Sequence, residues 1–217
     1  MPYHRYRPMI LKTIKLTLVL SLMTMMACQK SNLVTKKDEN GNITEQYAIS
    51  KDSLKHGEYT AYTDGVLSEK ANYSKGQLQG IRRLFYPNGQ VEIEENYDKD
   101  QIIGVYKTFF KDGTLAQEAK YVNGVMQGLI KSYYPEGPLK EEVTMVDNEE
   151  NGPFTEYYKD GTKEWEGTYL NGDNEFGLLK HYNDKGVLIK KMMCDSLAIC
   201  STIWTLEGGD VKPKIKN

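Results

Sequence analysis

From about Leu54 to Met193 the chain alternates short apolar-aromatic stretches with glycine-bearing polar turns. The stretches run for about six to eight residues, too short for stable helices, and are rich in Tyr, Phe, Val and Ile, so the pattern predicts β-strands. The second stretch of each unit alternates with a period of two: Leu67, Ala71 and Tyr73 point one way, as do Val91, Ile93 and Tyr97, or Leu115, Ala119 and Tyr121. The other face carries Ser68, Lys70 and Asn72, then Glu92, Glu94 and Asn96. One face is therefore expected to be apolar and the other charged.

Glycines punctuate these strands in two series. One is Gly57, Gly80, Gly104, Gly128, Gly152 and Gly177, and the other is Gly65, Gly89, Gly113, Gly137, Gly161 and Gly186. Each step is about 24 residues, the mark of a repeat architecture whose units complete their packing against neighbours. Asp64-Gly65, Asn88-Gly89, Asp112-Gly113 and Asp160-Gly161 are hairpin dipeptides, because tight turns need positive φ, which Gly tolerates and Asn or Asp accept. Asn123-Gly124 and Asn171-Gly172 suggest a second tight turn between units. The expected fold is all-β: six hairpins over 57–193 forming an elongated, single-layer antiparallel meander, on the order of 60 Å long at ~4.8 Å per strand. Asn40 to Tyr47 reads as half a unit, so 41–56 would cap the first repeat, and 194–217 would form a C-terminal cap and basic tail.

The paired glycines, the aromatics before the turn (Phe85-Tyr86, Phe109-Phe110, Tyr133-Tyr134, Tyr157-Tyr158) and the closing Tyr73, Tyr97, Tyr121 and Tyr169 resemble the MORN-repeat family, in its bacterial antitoxin-like variant. The resemblance covers about two thirds of the chain and implies a single-layer β-sheet used for protein or membrane contact, without a catalytic site. Two departures stand out. Met145 replaces the closing Tyr of the fourth unit and Pro138 follows its turn glycine, which should weaken that strand. With the acidic linker Asp147 to Asn151, they mark an expected soft joint before the fifth unit.

Ahead of the repeats, Arg5, Arg7, Lys12 and Lys15 precede the apolar run Leu16 to Ala27. A positive n-region, a short apolar core and a small residue before a cleavage point read as a secretory signal over 1–27. Met25-Met-Ala-Cys28 resembles a bacterial lipobox, with Met25 in place of the usual Leu. That resemblance implies cleavage before Cys28 and acylation of its thiol, and an expected location at the bacterial envelope on the outer membrane. The polar stretch 28–40 reads as a flexible tether.

Charge narrows the partners. Lys and Arg total 28 and Asp and Glu 30, well mixed, for a net charge of −2. Nucleic acid would demand a basic patch or stripe, so it is not expected. The chain has 16 tyrosines, and a single layer cannot bury both faces. Tyr86, Phe110, Tyr133, Tyr134, Tyr157 and Tyr158 are therefore candidates for a binding surface, unless their rows only stiffen the sheet through cross-strand pairs. Cys194 and Cys200 would face each other across a short hairpin and, outside the cytoplasm, would be oxidised.

Chemistry is not foreseen. His4, His56 and His181 share no metal-ligand spacing, and no phosphate loop or nucleophile elbow occurs, so neither metal nor cofactor is expected. Glu118, Glu142 and Glu166 recur at one repeat position and could form an acidic stripe, which more often complements lysines than performs a reaction. The expected protein is a membrane-anchored scaffold that binds a protein partner rather than an enzyme. Alternatives are an immunity protein binding one toxin and an envelope glycan-binding module.

Overall fold

The structure, a computed structural model, describes residues 32–211. The signal segment, Cys28 and the basic tail from Lys212 lie outside the described residues. Two strands precede the glycine period, β1 (Asn32–Lys37) and β2 (Ile43–Ile49). There follow β3 (Lys55–Thr63), β4 (Val66–Ser74), the two-residue β5 (Gln77–Leu78), β6 (Gly80–Phe85), β7 (Val91–Asp98) and β8 (Gln101–Ile102). The same plan continues through β9 (Gly104–Phe109), β10 (Leu115–Val122), β11 (Val125–Met126), β12 (Gly128–Tyr133) and β13 (Leu139–Val146). The last strands are β14 (Glu149–Tyr157), β15 (Lys163–Tyr169), β16 (Gly177–Tyr182), β17 (Leu188–Cys194), β18 (Cys200–Thr205) and β19 (Gly209–Asp210).

Long strands pair antiparallel in chain order, and the 19 strands of the described residues belong to one open sheet. Six hairpins fall within 57–193, as the period predicts. In each, the first-series glycine stands directly opposite the closing residue: Gly57 to Tyr73, Gly80 to Tyr97, Gly104 to Tyr121, Gly128 to Met145, Gly152 to Tyr169, Gly177 to Cys194. A large side chain facing a glycine covers the backbone that the glycine leaves bare. These glycines also hold positive φ; at Gly80 it is +80° and a Cβ would meet nothing within 4 Å. Conformation, not space, demands glycine there.

The turn between units and the first hairpin turn are tight as expected, but the later hairpin turns are wider. Asn123-Gly124 has positive φ at both residues, and so does Asp64-Gly65, as a tight two-residue turn requires. At Asn88-Gly89 only the glycine does; Asn88 Oδ1 instead accepts the N–H of Gln90 at 3.1 Å. Asp112 and Asp160 hold Thr114 and Thr162 in the same way, at 2.9 and 2.8 Å. These wider loops are closed by a type I-like bond, such as Gly89 N–H to the Tyr86 carbonyl at 2.9 Å.

After each such loop the register slips by one residue, as between Leu84–Ile93 and Phe85–Val91. This bulge reverses the facing of what precedes it. Val91 and Leu115 therefore pair with Phe85 and Phe109 on the face opposite Ile93 and Ala119, and Leu67 pairs with Tyr62 likewise. The simple alternation expected from the sequence is thus corrected.

Three further expectations change. Within the supposed tether, Asn32–Lys37 forms a strand on β2, because Leu33 to Lys37 can extend against Ile43–Ile49 through a turn organised by the Asp38 carboxylate. With β1 in place, the half-repeat cap is the inner strand of a hairpin and pairs on both sides. The expected soft joint is a register shift between Val143 and Met145, not a break: β14 spans Glu149–Tyr157, and Val146 and Met145 pair with Glu149 and Glu150. Pro138 weakens nothing, since its position corresponds to Gln90 and Thr114, whose N–H groups serve the turn side chain rather than the ladder.

Burial concentrates along the middle of one face, here called the inner face. Tyr59, Ala71, Ala119, Ile130, Val143, Phe154 and Leu179 follow one another across the hairpins, joined by Met145 and Cys194. Ala119 is only 2% exposed because Tyr106 and Tyr121, with ring centroids 5.7 Å apart, close over it. Gly167 lies in the same row, and a Cβ there would meet Phe154 Cε1 at 2.7 Å and Leu179 Cγ at 3.1 Å. Gly80→Ala is expected to cost about 1–2 kcal/mol through its backbone alone. Gly167→Ala should cost about 1–3 kcal/mol through overpacking. Urea midpoints measure both, and an unchanged midpoint for Gly80→Ala would remove the conformational explanation of the glycine period.

Candidate functional site

The outer face is a ladder of ion pairs. Arg83 meets Glu94 at 2.7 Å, Lys107 meets Glu118 at 3.4 Å, and Lys131 meets Glu142 at 3.0 Å. Glu166 receives Lys180 at 2.7 Å, Lys163, and the Tyr182 hydroxyl at 2.8 Å. Each of the glutamates that recur at one repeat position is therefore matched by a lysine from a neighbouring or the same strand. The hydrogen bonds from Lys163 and Lys180 pull the Glu166 carboxyl down to about 2. Beside the ladder runs a row that sequence reading missed: Ile81, Val105, Leu129 and Leu178, 41–50% exposed, each directly after a first-series glycine. Their place next to the glycine was the available signal.

The aromatic candidates before the turns are half-buried and tie repeats together. The Tyr86 hydroxyl donates to the Phe109 carbonyl at 2.8 Å, Tyr134 to that of Tyr157 at 2.8 Å, and Tyr158 to that of Tyr182 at 2.9 Å. Each bond spans one period. Phe110 holds the equivalent place without a hydroxyl, its N–H bonding Thr114 O at 2.8 Å. Tyr133 pairs across its hairpin with Leu139, and the Tyr157 hydroxyl donates to Glu142 at 3.2 Å.

The inner face treats charge differently along its length. At its N-terminal end, the Lys55 ammonium lies 4.8, 4.2 and 4.9 Å from the ring centroids of Tyr47, Tyr59 and Tyr73. Next, Arg82 bonds Glu69 at 2.7 Å and Glu95 at 2.9 Å. Farther on, Glu141 stands directly opposite Glu156, and neither joins an ion pair among the described residues. Burial first, then mutual repulsion, raises the carboxyl of Glu156, and burial raises that of Glu141. Beside them a concavity of about 300 Å³ is lined by Phe154, Trp165, Tyr169 and Leu179, with Glu156 and Glu175 among its walls. Phe154 stacks on Tyr169 at 4.1 Å and Trp165 on His181 at 4.0 Å.

Cys194 and Cys200 occupy paired positions at the end of β17 and the start of β18, and their sulfurs are bonded. Among the described residues, no group of three or more His, Cys, Asp or Glu side chains could hold a metal ion.

These features define a hairpin-repeat protein with two chemically distinct sheet faces. The model of the MORN repeat variant family matches residues 78–99, 103–123 and 126–147, which correspond to the second, third and fourth hairpins. Comparison with curated proteins finds no match.

Tyr158→Phe is expected to lose about 1 kcal/mol, the net worth of one hydrogen bond, read as a lower urea midpoint. The carboxylates give opposite pH signatures. Because the folded Glu166 carboxyl lies below its ordinary 4.5, its stabilisation is complete above that pH and lost as pH falls toward about 2. Glu166→Gln should lower the thermal midpoint at pH 7, with the gap closing in that acid window. Glu156, raised instead, favours the fold only when protonated, so Glu156→Gln should raise the midpoint at pH 7 and gain nothing below its ordinary 4.5. Thermal melts across pH 2–7 check both signs.

Proposed function

We propose that the protein is a lipid-anchored repeat lipoprotein of the bacterial envelope that serves as a protein-interaction scaffold. One observation carries the scaffold reading: the sheet is a single layer whose two faces both keep chemically organised side chains at the surface, with no second layer among the described residues to occupy them. MORN repeats are commonly protein- or membrane-interaction repeats, which supports the same class of role. The anchor rests on the sequence before the repeats, where the basic and apolar segments lead to Cys28. A diacylated cysteine would hold the sheet at the outer-membrane surface without inserting it. The disulfide between Cys194 and Cys200 accords with an oxidising compartment.

The test is crosslinking in the native cells, capture through a C-terminal tag, and mass spectrometry. One protein recovered at near-equal amount is the expected outcome. Capture of nothing above background would refute a protein scaffold. In parallel, Cys28→Ser should move the protein out of the membrane fraction; retention there would refute anchoring through this thiol.

A further inference from the structure

The inner face pairs its cations with rings and carboxylates in its N-terminal half; in its C-terminal half Lys190 stands opposite His181, and the carboxylates there join no ion pair among the described residues. Lys55 lies over three tyrosine rings of β2, β3 and β4. Arg82, on β6, is held between the carboxylates of Glu69 and Glu95. In the row that Arg82 occupies, the later hairpins carry Tyr106, Ile130, Phe154 and Leu179, so among the described residues no further basic side chain stands in that row. Yet carboxylates gather again at Glu141, Glu150, Glu156 and Glu175, and none of the four joins an ion pair among the described residues.

The arrangement is unfavourable as it stands. Glu141 and Glu156 face each other across β13 and β14, where like charges repel. All four carboxylates act on Tyr169, whose hydroxyl is pushed up first by burial and then by them. Lys140 acts on Glu141 and Glu156 from a distance, and Lys190 acts on His181, but neither pairs with the cluster. Glu142, one residue from Glu141, points to the other face and is bonded to Lys131. Adjacent glutamates thus differ only in which face they occupy, and only the inner one lacks a counterion.

We propose that the concavity bounded by Phe154, Trp165 and Tyr169, with Glu156 and Glu175 in its wall and Glu141 beside it, docks a lysine or arginine side chain from a basic segment of a protein partner. Its volume, about 300 Å³, is room enough for one long side chain. Aromatic rings receive the aliphatic stem and the cationic head, as Tyr47, Tyr59 and Tyr73 already receive Lys55. The carboxylates supply charge complementarity, which sets specificity and speeds encounter. The proposal rests on the scaffold reading and names the chemistry of the partner.

The experiment is fluorescence anisotropy of labelled octalysine titrated with the full-length protein in detergent, with octaglutamate as the opposite-charge control. Saturable binding of octalysine alone is expected. The pair of substitutions Glu141→Gln and Glu156→Gln should weaken it by about tenfold or more. Trp165→Leu should weaken it without changing net charge, and Glu118→Gln on the outer face should leave it within about twofold. Both Gln substitutions relieve repulsion, so an undiminished urea midpoint will separate lost binding from lost folding. No saturable octalysine binding, or equal loss in Glu118→Gln, would overturn the cationic site. If crosslinking still captures a protein in that case, the scaffold reading survives; if it captures none, that reading fails separately.

Discussion

A single sheet without a second layer must bury its apolar side chains against one another, and most of this structure answers that constraint. The recurring device is the closing Tyr set opposite a glycine. The glycine takes the positive φ that carries the chain from one hairpin into the next, and the Tyr stands directly opposite it on the paired strand. Neighbouring rings then roof the small residues between them, as Tyr106 and Tyr121 do for Ala119. Repeat-to-repeat hydrogen bonds from Tyr86, Tyr134 and Tyr158 lock the same spacing on the turn side. A hairpin alone would expose its rings; the next hairpin completes its burial.

The second consequence is that both faces remain surfaces. The outer one balances its charges internally, with lysine or arginine against glutamate over most of the hairpins, and leaves an aliphatic row beside them. Exposed pairs of this kind contribute little stability each, about 0–1 kcal/mol, so their value lies as much in register and solubility. The inner face is uneven: cations over tyrosines and between carboxylates at one end, carboxylates and aromatics at the other. This gradient along an otherwise regular repeat distinguishes its individual units.

Much of this was legible in the residues. The glycine period, the strand assignments, the number of hairpins and the facing cysteines follow from local composition and spacing, because turn chemistry and strand propensity act over a few residues. The bulges were not legible. Glu92 and its equivalents become the extra residue only when Phe85 has chosen Val91 as its partner, and that choice belongs to the paired strands. For the same reason the aromatic candidates changed meaning. Tyr86 and Tyr158 look like exposed recognition residues in isolation, but their hydroxyls end on carbonyls about a period away.

What the sequence determined by itself was therefore the unit: a hairpin opened by glycine, repeated six times and closed by Tyr in four of them, since each of those features is set by residues within the unit. Tertiary structure decided the faces. Whether Glu141 and Glu142 are paired, whether Leu67 lies with Ala71 or against Tyr62, and whether residues after Asn32 hang free or join the sheet all depend on cross-strand register. Register is a property of two strands at once, and a shift of one residue moves a side chain from one surface to the other.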